Sequence, residues 1–315
     1  MVQLAEPAHW RLKLSEEAIK NEVPSANIRC LTLDLSSLAA VRLAAAEVNA
    51  YPEPLHILIH NAAAAIGPLK VTPDNLESQM ATDHVGPFLL TKLLAPKLLA
   101  AGTVDFIPRV VYVSSILQSA VDIGALARPD PAKYRRFGAY AQAKAANVLM
   151  AVELSARAKG RLNAYSLKPG IIHTNILRKE ESLAGFIALG LYTPDGKPNP
   201  IHLWKTIPQG AATYSAHLAE PPDLIYFLAR RTVAAAFDTR LNEYPGAHLS
   251  DAMISTESLA YSSDPAIASK LWTATDEIIG EMLATESLAA HSSDPTIASK
   301  LWTATEEVIG EKFVL

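Results

Sequence analysis

The sequence predicts an α/β fold, a doubly wound parallel sheet with helices on both faces. Two observations carry that prediction. Past residue 28, apolar runs of strand length alternate with longer helix-like stretches, the pattern of parallel strands joined by helical crossovers. Residues that could do chemistry also stand where those runs end: Asp34, Asn61, Ser115 and Pro169. Ligands of such sheets bind beyond the carboxyl ends of the strands. The chain has 315 residues, 50% of them hydrophobic, enough for one large core.

The elements follow in order. Residues 1–27 contain no glycine and read as a short lead followed by a helix-like stretch at 12–19. The first strand expected is 28–33. Residues 38–49 read as a helix and 55–60 as a buried strand. Pro73-Asp74-Asn75 opens a long helix through Leu99, and Arg109–Val113 is the next strand. A polar loop, 118–137, carries Pro129 and Pro131. A helix over 139–159 and a strand over 162–167 follow, and Pro169-Gly170 breaks the strand. Residues 28–174 would hold the core of the site, and 175–208 a lid. The lid aromatics Phe186, Tyr192 and Trp204 either line an apolar pocket or pack the lid onto the core; the sequence leaves both open.

Two features interrupt this order. Residues 215–231, with Pro221-Pro222 and Arg230-Arg231, read as a surface insertion. Residues 256–281 then reappear as 285–311, sharing Ser-Ser-Asp-Pro, Lys-Leu-Trp-Thr-Ala-Thr and Ile-Gly-Glu. Each copy has an Asp-Pro helix start, Asp264-Pro265 and Asp294-Pro295, with Pro at the first helical position. In the second copy Ile297, Leu301, Ala304 and Val308 share a helix face. Two copies do not make a solenoid. One is the expected C-terminal helix; the other has an apolar face needing a partner, either a homodimer contact or a loosely docked tail.

The most informative stretch is Tyr140-Ala-Gln-Ala-Lys144. It sets a phenol and an ammonium four residues apart, on one face of a predicted helix. Ser114-Ser115 lies about one element upstream, at the end of Val110-Val111-Tyr112-Val113. A free tyrosine is a poor base at neutral pH, and a nearby cation favours its phenolate. A strand-end hydroxyl beside it could hold a carbonyl or alcohol oxygen, which makes a proton-transfer site for carbonyl/alcohol redox chemistry. The competing reading is bland: the spacing is common on helices, and a tyrosine at a helix edge with a solvated lysine would produce it.

Five segments, in one order, resemble the short-chain dehydrogenase/reductase family, in its branch of retinol dehydrogenases and WW-domain oxidoreductases. Leu33-Asp34-Leu35-Ser36 resembles the strand end near the adenine. Ile57-Leu58-Ile59-His60-Asn61-Ala62-Ala63 resembles the strand with N-N-A-G, and Asp83-His84-Val85-Gly86-Pro87-Phe88 the N-H-x-G-x-F helix. Val111-Tyr112-Val113-Ser114-Ser115 with Tyr140 and Lys144 resembles the catalytic strand and helix. Lys168-Pro169-Gly170-Ile171-Ile172-His173-Thr174 resembles the P-G-x-x-x-T loop at the nicotinamide. The resemblance implies a Rossmann-like fold and an oxidoreductase using NADP or NAD, NADP slightly ahead. It implies Tyr140 as general acid/base, Lys144 as the group that lowers its pKa and bonds the ribose, and Ser115, the second of the pair, as the orienter of the substrate oxygen. Asp34, Leu35, Asn61, Ala62, Ala63, Pro169, Gly170, Ile172 and Thr174 would line the cofactor. The substrate implied is a small apolar carbonyl or alcohol.

The departures carry expectations of their own. The family fold opens with a strand, a Gly-rich turn and a helix whose N-terminus receives the pyrophosphate. The sequence reading finds none of this before residue 28 and expects an N-terminally truncated chain without the first strand-turn-helix-strand unit. The strand at 28–33 would then move in beside 55–59 or leave the fold unstable. A catalytically inactive relative that cannot hold the dinucleotide is the alternative reading. Asp83 stands where the family has Asn; it is either a neutral exchange or a carboxylate competing for Lys144. Ala63 replaces a Gly and puts backbone fit in doubt. His60 replaces an Asn and reads as a hydrogen-bonded core residue.

Composition excludes several classes. A net charge of −4 with no basic stripe gives no sign of nucleic-acid binding. One cysteine, Cys30, excludes a disulfide framework and a Cys-rich metal site and reads as inert core. With no signal-peptide pattern and no long apolar run visible, the expected setting is cytoplasmic.

Overall fold

A computed structural model describes residues 2–6, 9–64, 66–126, 128–172, 180–206, 232–250, 253–255 and 263–290. The insertion at 215–231, Thr174 and most of the second repeat copy lie outside the described residues.

The central sheet has five strands in the order β3-β4-β5-β8-β9: β3 (Ile57–His60), β4 (Arg109–Val113), β5 (Asn163–Lys168), β8 (His248–Ser250) and β9 (Met253–Ile254). All neighbours run parallel except the β8–β9 pair at one edge. Strand alternation sends successive side chains of β4 to opposite faces. Val110 and Tyr112 join one core with α2 (Leu38–Ala50), α4 (Gly86–Leu99), α5 (Arg136–Ala158) and α8 (Pro265–Ala290). Val111 faces the other core, with Tyr165, Leu167 and Ala235 and Ala236 of α7 (Thr232–Phe237). Both faces are covered, as a continuous Val-rich strand requires. Each fully buried aliphatic side chain contributes roughly 1.5–3 kcal/mol.

The start of the chain corrects the sequence reading. Residues 1–27 do hold a strand, β1 (Val2–Glu6), followed by α1 (His9–Glu22). β1 pairs in parallel with β2 (Ile28–Thr32), in register from Val2 with Ile28 to Glu6 with Thr32. A strand-helix-strand unit therefore opens the chain, and β2 pairs with β1, not with 55–59. These two strands form a separate sheet; so do β6 (Ile171–Ile172) and β7 (Trp204–Lys205), a parallel pair with α6 (Glu180–Ala188) between them in sequence. The β1–β2 sheet joins the main core through Leu31, Leu33 and Leu35 and through α2, which packs against α4.

The long helix expected from Pro73 is also broken. It starts later, as α3 (Ser78–Met80), where the Glu77 carboxylate accepts from the Gln79 and Met80 amides. It passes through a π turn at Ala81–Val85 before α4. Such turns recur at functional sites because they push side chains out of helical register. The next helix begins three residues earlier than expected, at Arg136.

The first repeat copy forms α8, which runs on to Ala290 and so into the second copy. Trp272 packs edge-on against Phe88, 4.7 Å between ring centroids, and Thr275 and Asp276 bond His84 and Lys92. No helix among the described residues is long and apolar enough to cross a membrane.

Candidate active site

The π turn aims Asp83 at α5. Its Oδ2 lies 3.1 Å from Lys144 Nζ, and both side chains are almost wholly buried. Its Oδ1 accepts from the Ala64 amide at 2.6 Å, which ties the loop after β3 to the same point. Lys144 also donates to the Val113 carbonyl at the end of β4, 3.3 Å away, and Asn147, one turn on, donates to the same oxygen at 3.4 Å. The Ser114 hydroxyl donates to the Lys144 carbonyl at 2.6 Å. The loop after β3, the π turn, the end of β4 and the middle of α5 are thus knitted around one ammonium.

The two serines differ in what they have left to offer. Ser114 is buried, and its proton is spent on the helix. Ser115 is half-buried, and its Oγ accepts from the Leu117 amide at 3.1 Å. That bond uses a lone pair and leaves the hydroxyl proton for an oxygen set in front of it. Tyr140 is half-buried one turn before Lys144, with the ammonium 5.5 Å from its ring centroid. Its hydroxyl makes no hydrogen bond among the described residues.

The electrostatics hold protons in place. Burial opposes the Lys144 ammonium, but the charges of Asp83 and Tyr140 outweigh burial and raise its pKa above the usual lysine value. Burial pushes the Asp83 carboxyl up, against the pull of Lys144 and of the Ala64 amide. Asp83 therefore does compete for Lys144, the outcome expected if the two were close.

The expected cofactor residues fall into three groups. Asn61, Ala62 and Ala63 are exposed at the end of β3, and Ala63 has no positive φ, so its replacement of Gly is unstrained. Pro169, Gly170 and Ile172 follow β5, hydrogen-bonded to the serine strand through Ser114 N to Leu167 O at 2.7 Å. Gly170 has φ +87, a backbone conformation that favours glycine, while a Cβ there would meet only the flexible end of the Lys205 side chain. Asp34 and Leu35 stand apart, in the turn that follows β2. Asp34 Oδ1 accepts from Ser36 N and Oγ, closing its own turn before α2. The Leu35 side chain is core, and its carbonyl would lie 2.3 Å from a Cβ on Gly86.

Comparison with known proteins decides the family. The model of the short chain dehydrogenase family matches residues 4–183. The chain belongs to that family. "Short-chain dehydrogenase TIC 32 A, chloroplastic" of Brassica napus is 34% identical over 272 residues, 84% of this chain and 76% of that protein. Retinol dehydrogenase 12 of Homo sapiens is 31% identical over 202 residues, 64% of this chain and 59% of that protein. Among solved structures, an uncharacterized protein from Mycobacterium Paratuberculosis superposes with TM-score 0.58 at 24% identity, covering 88% of this chain and 83% of that one. A Pseudomonas aeruginosa RhlG/NADP active-site complex superposes with TM-score 0.50 at 17% identity, over 83% of this chain and 86% of that one. These likenesses establish the fold. As a short-chain dehydrogenase the chain is an oxidoreductase, NAD(P)-dependent by family.

Three residues of this short-chain dehydrogenase escaped the sequence reading. Asn147 was legible, since it falls on the helix face of Tyr140 and Lys144. Glu77 and Tyr134 were not. Tyr134 sits in the loop before α5; its hydroxyl lies 3.1 Å from Glu77 Oε1 and accepts from Gln79 Nε2 at 2.8 Å. Burial and the Glu77 carboxylate hold that phenol well above its usual pKa, so it stays neutral and clamps the loop. His60, as expected, is core: it bonds Thr91 at 2.8 Å and stacks on Tyr112. Cys30 is only half-buried, under the Glu16 carboxylate of α1, which corrects its reading as plain core. Phe186, Tyr192 and Trp204 form a run of ring contacts that ends on Phe137 of α5, so they pack on one another and on that helix.

Proposed function

We propose that this chain interconverts a carbonyl and an alcohol on an apolar small molecule, with NADP or NAD as redox partner and Tyr140 as general acid/base. NADP is put ahead of NAD on family resemblance alone. The observation that carries the proposal is the buried Lys144 ammonium beside the uncommitted Tyr140 hydroxyl, next to a strand-end serine with a proton to give.

The residues present suit the nicotinamide end of a dinucleotide. Gly170 offers backbone without a side chain, Asn61 an exposed amide at a strand end, and Lys144 a cation with room for a further hydrogen bond. Asn61, Ala62, Ala63, Pro169, Gly170 and Ile172 would hold that end, with Thr174 proposed from the motif and Asp34 and Leu35 toward the adenine. The bound nicotinamide supplies or accepts the hydride. The protein's part is the proton. Ser115 donates to the substrate oxygen and orients it. Tyr140 gives its proton to that oxygen in reduction and takes it back in oxidation. Lys144 stabilises the resulting phenolate, and Asp83 with the Val113 carbonyl keeps the ammonium aimed. Asp83 belongs to the catalytic set as a positioning residue.

The first glycine of the chain is Gly67, so the sequence offers no glycine-rich turn after β1, and nucleotide binding is the property to test first. Titration of the folded chain with NADPH and NADH, followed by nucleotide fluorescence, separates the readings. Saturable binding is expected; a folded chain that binds neither nucleotide rejects the redox function. With turnover in hand, Tyr140→Phe should lower kcat by about 10²–10⁴-fold with the circular dichroism unchanged, and retained activity would remove Tyr140 from its role. A cytoplasmic setting and a homodimer contact stay part of the proposal, tested by fractionation and size-exclusion chromatography.

A further inference from the structure

A cleft of about 650 Å³ opens at the start of the catalytic helix, lined by Pro68, Leu69, Tyr134, Arg135, Arg136 and Phe137. Its two walls are the chain that leaves β3 and the first turn of α5. Both walls lead to the candidate site. The first passes Ala64, whose amide is held by Asp83; the second reaches Tyr140 one turn after Arg136, on the same helix face. Tyr134 keeps the walls together, its hydroxyl 3.5 Å from the Gly67 carbonyl and 3.1 Å from Glu77.

The chemistry of the lining is two-sided. Pro68, Leu69 and Phe137 give it an apolar surface. Arg135 and Arg136 are exposed and form no ion pair among the described residues; the Arg135 guanidinium bonds only the carbonyl of its neighbour Tyr134, at 3.0 Å. The acids close by are committed elsewhere: Glu77 to the α3 amides and Tyr134, Asp130 to Lys133 at 3.8 Å. Two guanidinium groups beside an apolar floor, with no carboxylate of their own, suit a carboxylate on an aliphatic chain.

We infer that this cleft is a recognition subsite for the far end of the substrate, and that the substrate is an aliphatic aldehyde or ketone (or its alcohol) carrying a carboxylate away from the reacting carbon. This rests on the redox reading for the reaction but not for the binding. Calorimetry with decanoate and decanamide, neither of which can be reduced at a carbonyl by hydride transfer of this kind, therefore tests the subsite alone. Decanoate should bind at least about tenfold tighter than decanamide, a difference near 1.4 kcal/mol. That preference should vanish in R135Q/R136Q and persist in R135K/R136K, with circular dichroism melts confirming that each variant folds. Equal binding of acid and amide, no binding of decanoate, or an unchanged preference in R135Q/R136Q overturns the subsite. Preferential decanoate binding without turnover of 10-oxodecanoate, NADPH or NADH being present, leaves the subsite standing and rejects the redox reading.

Discussion

Two of the three sheets among the described residues, the five-stranded one and the β1–β2 pair, are built to different standards. Four of the five β4 residues are buried, and its neighbours cover both faces. In β2 only Leu31 is buried, and in α1 Leu12 is the one residue buried among those whose side chains are described. The half with the candidate site holds, among the described residues, a buried ion pair, three buried histidines and a buried arginine that pins α7 to the following turn. The first unit joins the rest through Leu31, Leu33 and Leu35, through α2 packed against α4, and through the close approach of Leu35 to Gly86. The candidate proton-transfer residues stand where packing is dense; β1, α1 and β2 leave more of their described residues exposed.

The largest test of that contrast is Lys144→Met. It strands Asp83 in the core and should cost about 3–5 kcal/mol in urea melts, because an unpaired buried charge is the expensive state. Adding Asp83→Asn should recover most of the loss, and a failure to recover would mean that the pair is not what sets the cost. Next, Gly86→Ala places a methyl 2.3 Å from the Leu35 carbonyl. It should cost about 1–3 kcal/mol and speed hydrogen exchange in β1, α1 and β2 while β4 and β5 stay protected. Uniform loss of protection would make the molecule a single cooperative unit instead.

A third test uses acid. Burial lowers His60 and His84 to about 3 and His248 to about 4. An unfolded histidine titrates near 6.5, so below that pH the unfolded chain takes protons that the native core refuses. Stability is complete above about pH 6.5 and falls as the pH drops toward 3–4, by up to about 1.4 kcal/mol per unit for each histidine. His248→Gln should shallow that fall; an unaltered pH profile would remove it from the set. The smallest expected effect is Leu14→Lys on exposed α1, within about 0.5 kcal/mol. A larger cost would show that α1 packs against more than β1 and β2.

The catalytic half was legible because its signals are local. Tyr140, Lys144 and Asn147 share a helix face, and apolar runs mark where β3, β4 and β5 end. β1 was missed because Val-Gln-Leu-Ala-Glu is short and is followed by Pro7, not by the glycine-rich turn that marks such a strand. The π turn was missed because nothing in Ala81–Val85 differs from ordinary helix; its cause is tertiary, the Asp83 bonds to Lys144 and Ala64. The Tyr134 clamp joins residues 57 apart, beyond the reach of any periodicity.

The contact between His84 and Thr275 spans 191 residues of sequence. At about 5–20 residues per second of synthesis, the ribosome needs roughly 10–40 s to deliver α8 after the π turn has emerged. For that interval α4 has α2 to pack against, but Phe88 lacks the Trp272 ring that lies edge-on to it in the finished fold. The unfinished chain thus leaves that side of Phe88 uncovered in the middle of its own translation, and a stall between the two segments would lengthen the exposure.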